Sequence, residues 1–258
     1  MADPAIRLER RGGVVRCTLD RPPLNLFEPG LIASLRTTFQ TLTADADVRV
    51  AILTGAGRAF TAGMDVNVLR DLDAAAATAL IGALHDAIEA VHRAPFPVIA
   101  AVNGAALGAG FELALACDLR VAAAGAIFGL PEVRVGVPSV IQAALLPPLI
   151  GPGRAAELLL TGATIGAGDA LAWGLVNRVV ERDGLEAAVD TFVDAILDCA
   201  PTAVRLQKEL IVRWRETDLT TAVRAGIAAF AASYATDEPR EGARAFLEKR
   251  PPRFGAPR

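Results

Sequence analysis

Cysteine, histidine and aromatic side chains are scarce in this 258-residue sequence: three Cys, two His, two Trp and one Tyr, with the aromatic residues together at 5%. Cys17, Cys117 and Cys199 are widely separated, odd in number and in no metal-ligand spacing, which excludes a disulfide framework and a thiolate metal centre. They read as reduced, buried small hydrophobes, in keeping with a reducing cytoplasm. An excess of either charge is also missing. Lys and Arg number 26 against 29 Asp and Glu, and a net −3 carries no footprint for nucleic acid. Basic residues recur between Arg205 and Arg215 and from Arg240 to Arg258, a pattern more common on solvated helix faces than on anion-binding ones. Long apolar runs are absent, because charges or prolines break each one before membrane-spanning length, and residues 1–7 contain no apolar signal core. The expectation is a soluble cytoplasmic protein without membrane or nucleic-acid partners.

What is present is apolar content of 53%, supplied largely by alanine, with 21% charged residues. This is a globular composition, and the length suits a main domain with a helical appendage. Strand-like runs at 6–9 and 14–19 flank Arg11-Gly12-Gly13 and predict a hairpin. A helix is predicted over 29–42, a strand over 48–53, a loop over 57–63 and an alanine-rich helix over 72–91. Strands at 119–122 and 176–180 flank an irregular segment at 125–138 and helices at 140–149, 154–160 and 167–173. Beyond residue 185 the pattern is helical: 185–199, 201–215, 219–234 and 239–248, with Pro201 and Pro239 suited to first turns. The division is a strand-and-helix core over residues 1–185 and a helical region over 186–258.

The chemistry centres on residues 97–118. An apolar run ending in Asn103-Gly104 predicts a buried strand, and the segment after Gly108-Ala109-Gly110 reads as a buried helix carrying one glutamate, Glu112, between Phe111 and Leu113. A buried carboxylate needs partners or a task. The helix start supplies free N–H groups at the positive end of its dipole, with little side chain to keep a ligand oxygen away. Glu132, in Phe128-Gly129-Leu130-Pro131-Glu132-Val133, is a second carboxylate in an apolar setting. Two such acids flanking a substrate divide into base and acid, sharing one proton. The turn at Ala59-Phe60-Thr61-Ala62-Gly63-Met64-Asp65 can aim a second backbone N–H at the same oxygen.

These three motifs, together with Asp20-Arg21-Pro22 and, near the end, Glu241-Gly242 and Ala245-Phe246-Leu247-Glu248-Lys249-Arg250, resemble the enoyl-CoA hydratase/isomerase (crotonase) family over nearly the whole chain. The resemblance implies an α/β fold, a crotonase-like spiral of ββα units with a C-terminal helical trimerisation region, and assembly as a homotrimer or a dimer of trimers. It implies an enoyl-CoA hydratase that adds water to a trans-2-enoyl-CoA thioester, coenzyme A entering as part of the substrate and with no separate cofactor. On this resemblance Met64 and Ala109 supply the oxyanion-hole N–H groups, Glu112 activates water, and Glu132 protonates C2. Ala62, Asp65, Gly108, Phe246 and Lys249 fall at coenzyme A-binding positions, the last two reaching a neighbouring subunit's ligand.

Three departures from the family pattern stand out. Ala109 occupies the middle of the usual Gly-Gly-Gly turn but keeps the N–H. Val137-Pro138-Ser139-Val140-Ile141-Gln142 replaces a glycine-rich stretch, which bears on the acyl pocket, and Val66-Asn67 leaves no lysine after the oxyanion turn. The rival activities are a Δ3-Δ2 enoyl-CoA isomerase and an acyl-CoA thioester hydrolase; a noncatalytic RNA-binding or scaffold role is opposed by the net charge. His85, Glu89 and His92 share helical spacing, but three ligands without a fourth read as polar surface rather than metal. The spacing of Gly104, Gly108 and Gly110 fails a dinucleotide fingerprint.

Overall fold

A computed structural model describes residues 5–255. Residues 1–4, in the stretch read above for a signal core, and residues 256–258, at the end of the basic C-terminal run, lie outside the described residues.

Two sheets form the core. The larger has the order β1 (Ile6–Arg11), β2 (Val14–Leu19), β3 (Val50–Gly55), β5 (Val98–Val102), β7 (Leu119–Ala123), β10 (Arg178–Val180). The β1–β2 pair is antiparallel and every later neighbour is parallel. Strands β3 and β5 are buried at every position, as expected of parallel strands covered on both faces. The smaller sheet has the order β4 (Ala59–Thr61), β6 (Ala105–Leu107), β8 (Ile127–Gly129), β9 (Thr164–Gly166). Each of these strands has three residues, so each reads in sequence as part of a turn. The predicted loop at 57–63 therefore contains β4, and the predicted irregular segment at 125–138 contains β8 and a 3-10 turn at Pro131–Val135.

Three strands of the small sheet each follow a strand of the large one, β3 to β4, β5 to β6 and β7 to β8, and a helix or 3-10 turn comes next; β9 instead follows helices after β8. The repeated strand, strand, helix unit winds the chain into a spiral. Helix α1 (Pro29–Ala44) buries Leu31, Leu35 and Phe39 against α3 (Ala74–His92), and a short α2 (Val66–Leu69) precedes α3. Helix α4 (Ala109–Ala116) is buried on all sides, Phe111 packing on Phe128 with ring centroids 5.6 Å apart. The predicted helix at 140–149 is split, a 3-10 turn at Ile141–Leu145 leading into α5 (Leu146–Ile150). Helices α6 (Pro152–Thr161) and α7 (Ala167–Ala172) complete the core.

The remaining helices are α8 (Leu185–Leu197), α9 (Pro201–Glu216), α10 (Leu219–Ser233) and α11 (Glu238–Leu247). Helix α8 packs on the large sheet through Leu185, Val189 and Val193. The Arg49 guanidinium caps the C-terminal end of this helix, donating to the Leu197 carbonyl at 3.2 Å and the Cys199 carbonyl at 2.7 Å. Cys199 is exposed just past that end, contrary to the expectation that all three cysteines are buried. Buried Lys208 of α9 reaches Asp118 at 2.6 Å, and the other Asp118 oxygen accepts the Val98 N–H at 2.8 Å.

Candidate active site

Three loops converge at the N-terminal end of α4. Gly108 adopts φ +54, and its N–H is spent on the Gly129 carbonyl at 2.9 Å, tying the turn to β8. A Cβ on Gly108 would stand 2.8 Å from Glu132 Oε1 and 4.0 Å from the Gly63 Cα. One on Gly63, at φ +90, would stand 2.7 Å from the Leu107 carbonyl and 3.5 Å from the Ala109 nitrogen. Gly110 presses still closer, its missing Cβ falling 2.3 Å from the Thr61 carbonyl. The glycines are what allow the β4 turn, the β6 turn and Glu132 to meet.

The backbone around Met64 is held on both sides. The Phe27 N–H donates to the Gly63 carbonyl at 2.8 Å, and the Asp65 N–H donates to the Phe27 carbonyl at 3.0 Å. Met64 sits between these two bonds as the bridge residue, so its own N–H faces away from Phe27. The Thr61 hydroxyl accepts the Gly63 N–H at 3.2 Å. Ala109 is the first residue of α4, so its N–H has no intrahelical acceptor. Buried Asn25 braces the frame, its amide donating to the Ala56 and Ala59 carbonyls at 3.0 Å each and to that of Phe60 at 3.2 Å.

Glu112 is 2% exposed. Its Oε1 accepts the Ala143 N–H at 3.0 Å, and the Val140 N–H donates to the same carboxylate. Burial pushes its pKa up to about 8; the neighbouring Glu132 charge adds to the rise and the two amides oppose it. Glu132, half-buried in the 3-10 turn after β8, accepts the Ser139 hydroxyl at 2.7 Å on Oε2. Of the apolar neighbours that the sequence gives it, Phe128 and Leu130 are buried as expected and Val133 is exposed.

The two glutamates, Gly108, Ala109 and the Gly63–Met64 turn are thus brought together. The Ala62 N–H is taken by the Leu24 carbonyl at 3.0 Å, and the Asp65 side chain caps α2 through the Asn67 N–H at 2.9 Å. Phe246 on α11 is 84% exposed, and Lys249 follows it; among the described residues no side-chain hydrogen bond or ion pair joins either to the glutamates. Of His85, Glu89 and His92, the last turns into the core, its Nδ1 lying 3.2 Å from the Ala116 carbonyl, and Glu89 pairs with Arg93. No metal-ligating cluster occurs among the described residues. The roles of Asn25, Ser139 and Ala143 carry no signal in the sequence: a backbone amide leaves no mark there, one Asn in a turn is commonplace, and Ser139 stands out only as part of the 137–142 departure.

The family model for enoyl-CoA hydratase/isomerase matches residues 9–257. A crotonyl-CoA hydratase of Syntrophomonas wolfei is 38% identical, the match covering 98% of this chain and 99% of that one. A short-chain-enoyl-CoA hydratase of Clostridium acetobutylicum is 35% identical over 94% of both chains. The crystal structure of an enoyl-CoA hydratase from Mycobacterium smegmatis superposes with a TM-score of 0.94 at 35% identity, covering 98% of this chain and 99% of the other.

Proposed function

Because the chain belongs to the enoyl-CoA hydratase/isomerase family, we propose that it hydrates the 2,3 double bond of a trans-2-enoyl-CoA thioester. The Met64 and Ala109 N–H groups hold the thioester oxygen as the enolate develops, where fixed donors act more strongly than water does. Glu112 takes the proton of the water that attacks C3, and Glu132 delivers a proton to C2. One proton therefore has to be present on the pair at the start and again at the end.

What supports this reading is the meeting of two carboxylates beside two backbone donors at the α4 start. A carboxyl held at about 8 keeps a proton at neutral pH, so the pair enters the reaction with one proton between the two glutamates. Activation of water by Glu112 requires that the proton of the pair stand on Glu132, from which C2 takes it. Above pH 8 the pair loses its shared proton, and hydration is expected to fall.

We also propose self-association as a homotrimer or a dimer of trimers. The exposed apolar side chains of Leu219, Val223, Ile227 and Phe230 on α10 support it, since a stripe of this kind gains by being covered. Phe246 and Lys249 would then meet coenzyme A across a subunit boundary rather than within one chain. A cytoplasmic setting, with no cofactor beyond the substrate's own coenzyme A, completes the proposal.

The test is loss of conjugated thioester absorbance with trans-2-enoyl-CoA esters of several chain lengths. Glu112→Gln and Glu132→Gln should each lower kcat about 10²- to 10⁴-fold, the usual worth of a positioned acid or base. Near-native hydration by either variant would remove that glutamate from the mechanism.

A further inference from the structure

The turn that grips Glu112 is strained. Ile141 has φ +33, a conformation that β-branched residues avoid, and it lies between the two amides, Val140 and Ala143, that bind the Glu112 carboxylate. Such a conformation persists only where its surroundings over-determine it. The next side chain, Gln142, is 5% exposed and does not point to solvent. Its Nε2 lies 3.0 Å from Glu89 Oε2 and 3.1 Å from His85 Nδ1, both on α3. With Nε2 donating to the carboxylate and to the unprotonated imidazole nitrogen, both of its hydrogens are placed; the flipped amide would set Oε1 against Glu89. The arrangement leaves Gln142 Oε1 buried with no partner. Leaving a buried acceptor unpaired is costly, so the anchor on α3 comes at the expense of that oxygen.

We propose that Gln142 is a positioning residue for Glu112: bonded to Glu89 and His85 on α3, it holds the strained Ile141 turn so that the Val140 and Ala143 amides bind the Glu112 carboxylate. This inference rests on the reading of Glu112 as an acid-base group. The amides favour the ionised carboxylate, and Glu132 is the charged group that faces Glu112 and opposes it. A turn released from α3 loses its hold on the carboxylate, and the apparent pKa of the pair rises. Glu89 is held from its other side by Arg93, one turn along α3, so the anchor does not depend on Gln142 for its own place.

The test compares pH profiles of kcat/KM for the wild-type enzyme, Gln142→Met, Glu89→Ala and Glu89→Gln, using the enoyl-CoA ester that the wild type hydrates best. Gln142→Met keeps the bulk and removes the donors; Glu89→Ala removes the acceptor from the far side; Glu89→Gln retains an acceptor. In Gln142→Met and Glu89→Ala the alkaline limb should move up by about one pH unit, with kcat falling and KM little changed. Glu89→Gln should restore the wild-type limb. An unmoved limb in both Gln142→Met and Glu89→Ala overturns the proposal, even if overall activity falls. Should Gln142→Met fail to fold, the two Glu89 variants decide alone. A fully active Glu112→Gln would instead defeat the acid-base reading beneath it.

Discussion

At the scale of single residues, the opposition between burial and hydrogen bonding at Glu112 has a consequence for stability. Its carboxyl has an ordinary value of 4.5 and is held at about 8 in the folded chain. Below 4.5 it is protonated in both the folded and unfolded states and contributes no pH dependence. As the pH rises from 4.5 to 8 the unfolded chain ionises freely while the folded one retains its proton, so stability declines through that window and levels off above it. Glutamine keeps an acceptor for the Ala143 amide and has no charge to bury. The melting temperature of Glu112→Gln relative to wild type should therefore climb between pH 4.5 and 8 and stay level beyond. A constant difference across that range would mean that Glu112 titrates normally. The variant is expected to be more stable and inactive together, the pattern of a group kept for chemistry rather than for folding.

At the scale of elements, the site depends on how closely α4 approaches β4. Gly110→Ala would place a methyl group 2.3 Å from the Thr61 carbonyl, a contact with rigid backbone that no side-chain movement relieves. It should destabilise the protein by about 1–3 kcal/mol, read as a lower denaturant midpoint. It should also slow hydration, because the Ala109 N–H moves away from Met64. The same closeness explains what could be read from the sequence. Helices α1, α3 and α8 to α11 and the strands of the large sheet carry apolar spacing over enough residues to show a period, and their predicted limits lie close to those found. Strands β4, β6, β8 and β9 have too few residues for any period; the first three surface only within ordered motifs around glycine, and β9 leaves no mark at all. Glu112 was conspicuous as a lone charge in an apolar helix. The grip on it was not, because Val140 and Ala143 contribute through their main chain and Gln142 through a contact with α3, 53 residues away at Glu89.

At the scale of the whole molecule, the C-terminal helices divide into an anchored part and an uncovered part. Helix α9 is fixed to the core by the buried Lys208–Asp118 pair, and α11 is tied to the first turn of α9, where the Glu238 carboxylate accepts the Thr202 and Ala203 amides. Helix α10 packs on α9 yet leaves Leu219, Val223, Ile227 and Phe230 at 53 to 79% exposure, spaced so that they run along one side. That is too much contiguous apolar surface for one helix to show water without cost, and chain folding does not cover it. A second copy of the chain covers it in the proposed assembly, and a charge at the centre of the stripe should then be severe. Ile227→Asp is expected to shift the protein to monomer in sedimentation velocity while leaving its far-ultraviolet circular dichroism unchanged, since residue 227 is already solvated within one chain. A wild-type protein that sediments as a monomer, or an Ile227→Asp variant that keeps the wild-type mass, would place the subunit contacts elsewhere. If Phe246 and Lys249 serve a neighbour's ligand, the monomeric variant should also show a raised KM for the thioester with Glu112 and Glu132 intact.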